Sequence, residues 1–165
     1  MQATDGSFYG TTSAGGVHGY GTVFKITPAG RLTSLHSFES ATNGANPNAG
    51  LVQATDGNFY GTTSGGGVNG HGTVFKITTS GRLTTLHSFD STDGAAPIAG
   101  LVQATDGNFY GTTSEGGING YGTVFKLNPA RRLTTLHNFD LTDEARIDFG
   151  GANQPKGSEE RSRTC

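Results

Sequence analysis

The stretch TDGNFYGTTS occupies residues 55–64, recurs unchanged at residues 105–114, and has a close copy, TDGSFYGTTS, at residues 4–13. The similarity extends beyond these ten residues, and the full pattern repeats about every 50 residues. Periods of roughly 20 to 50 residues are typical of arrays whose units bury their apolar side chains against neighbouring units. The sequence therefore predicts a repeat protein.

Three repeats account for most of the 165 residues. We place them at residues 1–50, 51–100 and 101–145, followed by a divergent tail at residues 146–165. The tail is charged and has no apolar periodicity, so we expect it to be disordered.

Composition limits the classes of function. Hydrophobic residues make up only 32% of the chain and 28 residues are glycine, which favours many short strands and turns over one compact core. The net charge of −2 and the lack of a Lys/Arg cluster within the repeats argue against nucleic acid or an anionic membrane as a partner. The sequence shows no membrane span and no signal peptide, and the lone Cys165 has no second cysteine to pair with.

Four segments of the second repeat have the composition and alternation of strands. They are LVQAT (51–55), NFYGTTS (58–64), TVFKITT (73–79) and LTTLHSF (83–89). Tight turns at DG (56–57) and SGR (80–82) join the first strand to the second and the third to the fourth. Short connections of this kind predict an antiparallel sheet.

Both faces of this sheet carry apolar side chains, because successive residues of a strand point to opposite faces. Phe75 and Ile77 point to one face and Val74 to the other, and Leu83 and Leu86 likewise fall on opposite faces. Sheets covered on both sides stack around an axis as the blades of a β-propeller. We therefore predict an all-β fold of β-propeller-type, four-stranded antiparallel blades.

The repeated phrase itself is interpreted as a folding signal rather than a catalytic motif. We expect Asp56 and Gly57 to supply the positive φ angles of a tight turn. Phe59 and Tyr60 should pack toward the two neighbouring blades, and Gly61 should allow a close approach of backbone.

The pattern GLVQATDGNFYGTTSGGGVNGHGTVFKIT, followed by GRLTTLHSFD, resembles the Gloeo/Verruco (GloVer) tandem repeat family of bacterial proteins, which are often large and surface-anchored. More loosely, DGNFYGTT and the later KIT and GRL segments are similar to blade motifs of virginiamycin B lyase and two-component-regulator propellers. The first resemblance implies an extracellular or cell-surface location. The second favours a propeller, and neither implies a particular activity.

Three blades are fewer than the four to eight of a typical closed propeller. We therefore expect an open arc or partial propeller. Two chains could instead form a homodimer that completes a six-bladed ring, or the natural protein could contain more repeats.

Departures from the pattern gather in the third repeat. Arg131 replaces the turn glycines Gly30 and Gly81, and Glu144 replaces Gly94. A residue other than glycine at a position of positive φ costs on the order of 1 kcal/mol.

Candidate binding residues lie in the loops between the second and third strands and in the links between repeats, which we expect to emerge on one face. The candidates are Tyr20, Asn69, His71, Asn119, Tyr121, Asp90 and Asp93. Aromatic rings and amides on such a face suit stacking on sugars and hydrogen bonding to them. The alternative interpretation is that they only fill space beneath the glycine-rich loops.

No metal or cofactor is predicted. His36, His87 and His137 recur, but we place them on outer strands, too far apart for zinc ligands at about 2 Å from one ion. Asp90 and Asp93 lack the spacing of a twelve-residue calcium loop and are expected to cap turns.

Three functions remain open. The favoured one is a non-catalytic repeat module of a bacterial surface or secreted protein, structural or binding a protein or glycan through the loop face. The second is a propeller enzyme similar to virginiamycin B lyase, although no general acid and base pair stands at a defined spacing. The third is a truncated fragment with no independent activity.

Overall fold

The protein was analysed as a computed structural model, which describes residues 1–143. The elements are β1 (Phe8–Thr12), β2 (Thr22–Ile26), β3 (Leu32–Ser37), α1 (Ser40–Asn43), β4 (Val52–Gln53), β5 (Phe59–Thr63), β6 (Thr73–Ile77), β7 (Leu83–Ser88), β8 (Val102–Gln103), β9 (Phe109–Thr113), β10 (Thr123–Leu127) and β11 (Leu133–Asn138). The predicted disordered tail at 146–165 and the replacement at Glu144 lie outside the described residues.

The strands form three antiparallel sheets, named blades 1 to 3. Blade 2 has the order β4-β5-β6-β7, blade 3 has β8-β9-β10-β11, and blade 1 has β1-β2-β3. The all-β fold of propeller-type blades is thus confirmed, and the sheets do not close into a ring within the described residues. The first of the four predicted strands is reduced in blade 1 to a single bridge between Gln2 and Phe8.

The turn at Asp56 differs from the prediction. Gly57 N–H donates to Ala54 O and Ala54 N–H donates to Asn58 O, each at 2.9 Å, which closes a three-residue hairpin loop. In such a loop only the last residue adopts positive φ, and Gly57 has φ +78. The prediction that Asp56 shares this conformation is therefore wrong. Asp56 Oδ1 instead accepts a hydrogen bond from Asn58 N–H at 3.0 Å.

The middle blade packs against both neighbours through the repeated phrase. Phe59 stacks on Tyr9 of blade 1 with ring centroids 4.0 Å apart, and Tyr60 stacks on Phe109 of blade 3 at 4.1 Å. The predicted opposite orientations of Phe59 and Tyr60 are confirmed. The chain consequently has one apolar core at each junction between blades.

The other predicted face assignments also hold. Phe75 and Ile77 belong to the core shared with blade 1, and Leu83 packs against it. Val74 belongs to the core shared with blade 3, and Leu86 packs against that one. Alternation along each strand therefore places both faces correctly.

Gly61 is needed for a different reason from the predicted one. It pairs across the sheet with Phe75, and a Cβ at Gly61 would lie 2.7 Å from Phe75 Cζ and 2.9 Å from Leu51 Cδ2. The close neighbours are thus two side chains, one of them an aromatic ring folded over the strand, rather than backbone.

Arg131 confirms the prediction of a positive φ at the turn between the third and fourth strands. Its φ is +64, and its counterparts Gly30 and Gly81 have φ +82 and +90. The third repeat therefore carries local backbone strain that the first two avoid.

A repeated ion pair braces each of the first two hairpins. In blade 2, Asp56 Oδ2 accepts hydrogen bonds from Lys76 Nζ at 2.8 Å and from Tyr60 O–H at 2.9 Å. Burial alone raises the pKa of Asp56, but the bonds from Lys76 and Asn58 outweigh it and hold this pKa well below its usual value of 3.8. In blade 1, the bond from Lys25, with a smaller contribution from Ser7 N–H, lowers the pKa of Asp5 to about 2.

Blade 3 has no equivalent lysine–aspartate ion pair among the described residues. Asn108 Nδ2, rather than a lysine, donates to Asp106 Oδ2 at 2.6 Å. The hydrogen bond from Asn108 is the main cause of the lowered pKa of Asp106.

Phe59→Ala should strongly destabilise the protein, because Phe59 is fully buried between two blades. Truncating a buried phenylalanine costs about 3–5 kcal/mol. The matched control is Phe8→Ala, since Phe8 holds the same position in blade 1 but is 43% exposed, and we expect it to cost about 1 kcal/mol. Urea unfolding at high dilution, where contacts between chains do not contribute, measures both. Equal losses would contradict stacking of blade 2 on blade 1.

Acid should weaken the protein partly through Asp56. A carboxyl whose pKa is lowered by folding stabilises the folded state above its unfolded pKa, and this stabilisation is lost as pH falls below about 3.8 toward the folded pKa. Asp56→Asn should therefore lower the melting temperature at pH 7 and reduce its fall between pH 5 and roughly pH 2. Asp106→Asn, which removes no lysine pair, should change the pH profile less. Identical profiles for wild type and Asp56→Asn would refute the role of the ion pair.

Candidate functional site

The glycine loops and the links between blades meet on one side of the molecule, named the loop face. The glycine loops span residues 13–21, 64–72 and 114–122, and the two links span residues 39–50 and 90–100. Link 1 pairs with glycine loop 2 through two hydrogen bonds between Ala45 and Gly65, of 2.7 and 3.0 Å. It also contacts glycine loop 1, since Asn46 N–H donates to Tyr20 O at 2.9 Å. Each link therefore joins two successive glycine loops.

Buried threonines hold the links down. The hydroxyls of Thr63 and Thr73 lie 2.9 Å apart in the interior of blade 2, and Thr73 Oγ1 donates to Asn43 O of link 1 at 3.2 Å. Gly44 passes so close to Thr63 that a Cβ at Gly44 would clash with it. Because buried hydroxyls need hydrogen-bond partners, the bond from Thr73 holds link 1 against the end of blade 2.

A cleft of about 640 Å³ opens where glycine loops 1 and 2 meet link 1. It is lined by His18, Tyr20, Glu39, Ser40, Ala41, Gly66, Gly67 and Gly70. The Tyr20 residue is 43% exposed, and Glu39 Oε2 accepts a hydrogen bond from Thr42 Oγ1 at 2.9 Å. The cleft thus combines an aromatic ring, a carboxylate, an imidazole and a hydroxyl on a glycine-rich floor.

Of the predicted site residues, only Tyr20 lines this cleft. His71 and Tyr121 occupy the equivalent, exposed positions of glycine loops 2 and 3. Asn69 Nδ2 donates to Ser88 O at 3.3 Å, and Asn119 Nδ2 donates to Phe139 O at 3.2 Å. These two amides tie their loops to the end of the fourth strand.

Asp90 and Asp93 have the turn-capping role that the sequence predicted for them. Asp90 Oδ1 accepts hydrogen bonds from the hydroxyl and the N–H of Thr92, at 2.7 and 2.9 Å. The hydroxyl bond is the largest cause of the lowered pKa of Asp90. Asp93 Oδ1 accepts from Asp90 N–H at 3.1 Å.

Two histidine–carboxylate pairs were not predicted from the sequence. His87 Nε2 lies 2.7 Å from Asp93 Oδ2, and His137 Nε2 lies 2.8 Å from Asp143 Oδ2. The signal was a histidine followed six residues later by an aspartate, in LHSFDSTD and again in LHNFDLTD. Each pair ties the end of the fourth strand to the adjoining turn.

The first repeat breaks this pattern. Asn43 stands where Asp93 stands, and its side-chain oxygen accepts from Glu39 N–H at 2.8 Å. His36 Nε2 is buried with no hydrogen-bond partner among the described residues, and burial lowers the pKa of His36. Within residues 1–143, no group of three or more His, Cys, Asp or Glu residues is placed to hold a metal ion.

Link 1 forms most of one cleft wall, which the sequence did not indicate. Its one extra residue relative to link 2 is accommodated in the short helix α1. Gly67 N–H donates to Ser40 O at 2.7 Å, so the start of α1 lies directly on glycine loop 2. Glu39, which precedes α1, and Ser40 and Ala41 within it line the cleft together with Tyr20.

None of the helices in residues 1–143 has the length and apolar character needed to cross a membrane. The search of curated proteins found no match.

Two solved structures of virginiamycin B lyase from Staphylococcus aureus are similar to this chain. One is a catalytically inactive form with quinupristin, with a TM-score of 0.54, and the other is a selenomethionine-substituted form, with a TM-score of 0.55. Each is 16% identical and is matched by 88% of this chain, which spans 41% of the length of that protein. At this identity the likeness shows the fold alone.

The repeats themselves identify the family. The model of the Gloeobacter/Verrucomicrobia repeat matches residues 1–158, nearly the whole chain. That match includes the repeated phrase, the glycine loops and the links whose contacts build the loop face. The chain belongs to the Gloeobacter/Verrucomicrobia repeat family.

Proposed function

We propose that this chain is a non-catalytic repeat module that binds a glycan through its loop face, as part of a bacterial surface or secreted protein. The observation that carries the proposal is the cleft beside Tyr20. Its aromatic ring offers an apolar surface to the C–H face of a sugar, while Glu39 and Ser40 offer hydrogen-bonding groups to the sugar hydroxyls. Concave sites with a few convergent polar groups are the usual form of small-ligand sites.

Binding is favoured over catalysis by the near identity of the repeats. The His–Asp pairs recur in blades 2 and 3 and do not line the cleft. The likeness to virginiamycin B lyase concerns the fold, so it lends no support to an activity.

The surface or secreted location and the formation of a homodimer are part of the same proposal. The surface or secreted location rests on the resemblance of the repeats to surface-anchored bacterial proteins. The homodimer with a six-bladed ring concerns the two ends of the arc rather than the loop face, so glycan binding does not depend on it.

The test is a glycan array probed with the purified chain, followed by calorimetric titration of the best glycan. Tyr20→Ala should weaken binding at least about tenfold, which corresponds to about 1.4 kcal/mol. Tyr121→Ala is the matched control, because Tyr121 holds the same position in glycine loop 3 and lies outside the cleft. We expect it to leave the affinity unchanged.

Two outcomes would reject the proposal. One is the absence of saturable binding across a broad array. The other is an equal loss of affinity in Tyr20→Ala and Tyr121→Ala, which would show that the glycan does not bind in the cleft. Circular dichroism of both variants verifies that the fold is retained.

A further inference from the structure

The two outer blades each present an apolar face that is covered in the middle blade. On blade 1, Phe8 is 43% and Leu32 is 63% exposed. In blade 2, the counterpart of Phe8, Phe59, is fully buried against blade 1, and the counterpart of Leu32, Leu83, packs against the same core. On blade 3, Val102 is 59% and Leu136 is 49% exposed. We name the first surface the head face and the second the tail face.

The chain itself shows what covers a tail face. At each internal junction, the tail face of one blade meets the head face of the next through the same contacts. Besides the tyrosine–phenylalanine stack, each junction has an edge-to-face phenylalanine pair with centroids 5.2 Å apart, which are Phe38 with Phe75 and Phe89 with Phe125. Tyr110 on the tail face of blade 3 and Phe8 on the head face of blade 1 are the next members of the stacking series. The exposed head face of blade 1 and the exposed tail face of blade 3 therefore carry the same residues that pair at the internal junctions.

A hydrogen bond also repeats at both junctions. Thr4 N–H donates to Gln53 Oε1 and Thr55 N–H donates to Gln103 Oε1, each at 2.9 Å. The two ends of the arc hold the next donor and acceptor of this series, which are Thr105 N–H and Gln2 Oε1.

Gln2 is already held in the orientation that this bond requires. Its Nε2 donates to Gly6 O at 3.3 Å, as Gln53 Nε2 donates to Gly57 O at 3.4 Å within a formed junction. Its side-chain oxygen therefore needs no rearrangement to accept a further donor.

We propose that a second copy of this chain docks head to tail, with blade 3 of each copy on blade 1 of the other, so that two copies close a ring of six blades. Tyr110 then stacks on Phe8 of the partner subunit, and Thr105 N–H donates to Gln2 of the partner subunit. Six blades lie within the range of about four to eight found in closed propellers. Closure also covers both exposed faces at once, as a heterologous interface does when its rotation closes.

The experiment measures the molar mass of the full chain in solution across a range of concentrations. The wild type should reach twice the mass of one chain and grow no further. Leu32→Arg on the head face and Val102→Arg on the tail face should each reduce it to a single chain, because an unpaired charge is costly to bury. Both residues are more than half exposed, so the blades should still fold. Val68→Arg is the control, since Val68 is 77% exposed on a glycine loop, and it should remain dimeric.

Mixing the two variants gives the sharper test. An equimolar mixture of Leu32→Arg and Val102→Arg contains one intact head face and one intact tail face, so it should recover a dimer that neither variant forms alone. That dimer should dissociate at higher concentrations than the wild type, because it has one interface instead of two. Phe8→Ala serves as the head-face variant if Leu32→Arg does not fold.

Any of three results would overturn the proposal. They are a wild type that stays at the mass of one chain, a mass that keeps growing with concentration, and a mixture that does not recover the dimer.

Discussion

Each blade of this protein is apolar on both faces, so a blade buries both faces only when it lies between two others. The stacks of Tyr9 on Phe59 and of Tyr60 on Phe109 satisfy this requirement on the two sides of blade 2. The strand FYGTT occurs with the same five residues in blades 1 and 2. All five are buried in β5, whereas Phe8 of β1 is exposed. Burial is thus a property of position in the array and not of the repeat alone.

Stacking of the blades also builds the loop face. Because Thr73 Oγ1 donates to Asn43 O and Thr123 Oγ1 donates to Asp93 O, each link is anchored to the blade that it leads into. The contacts are nearly the same at both junctions, but link 1 contains α1, whose first residues line the cleft beside Tyr20, and link 2 has no such helix. A single inserted residue therefore distinguishes one junction from the other. The repeated strands form the same scaffold in each blade, and differences in the length and side chains of the loops distinguish one junction from the other.

The sequence predicted the strands and their faces well because alternation along a strand is local, as with Phe75 and Val74. It was wrong about Asp56 because the dipeptide DG occurs in two kinds of hairpin, and the length of the loop is settled by the pairing of Ala54 with Asn58. Gly61 was recognised as a point of close approach, but the approaching group was a ring across the sheet. These errors concern which partner a residue meets, rather than which conformation it prefers.

The sequence by itself determined the period, the antiparallel blades, the two apolar faces and the positive φ at Arg131, because each follows from neighbouring residues or from comparison of repeats. Only the tertiary structure decided that Tyr20 and Glu39 share a cleft with Gly66, and that His87 meets Asp93. The cleft joins residues that are far apart in the chain, and their distances are set by how each link settles on the next blade. Local preference carries no information about that arrangement, so it appears only when the blades are stacked.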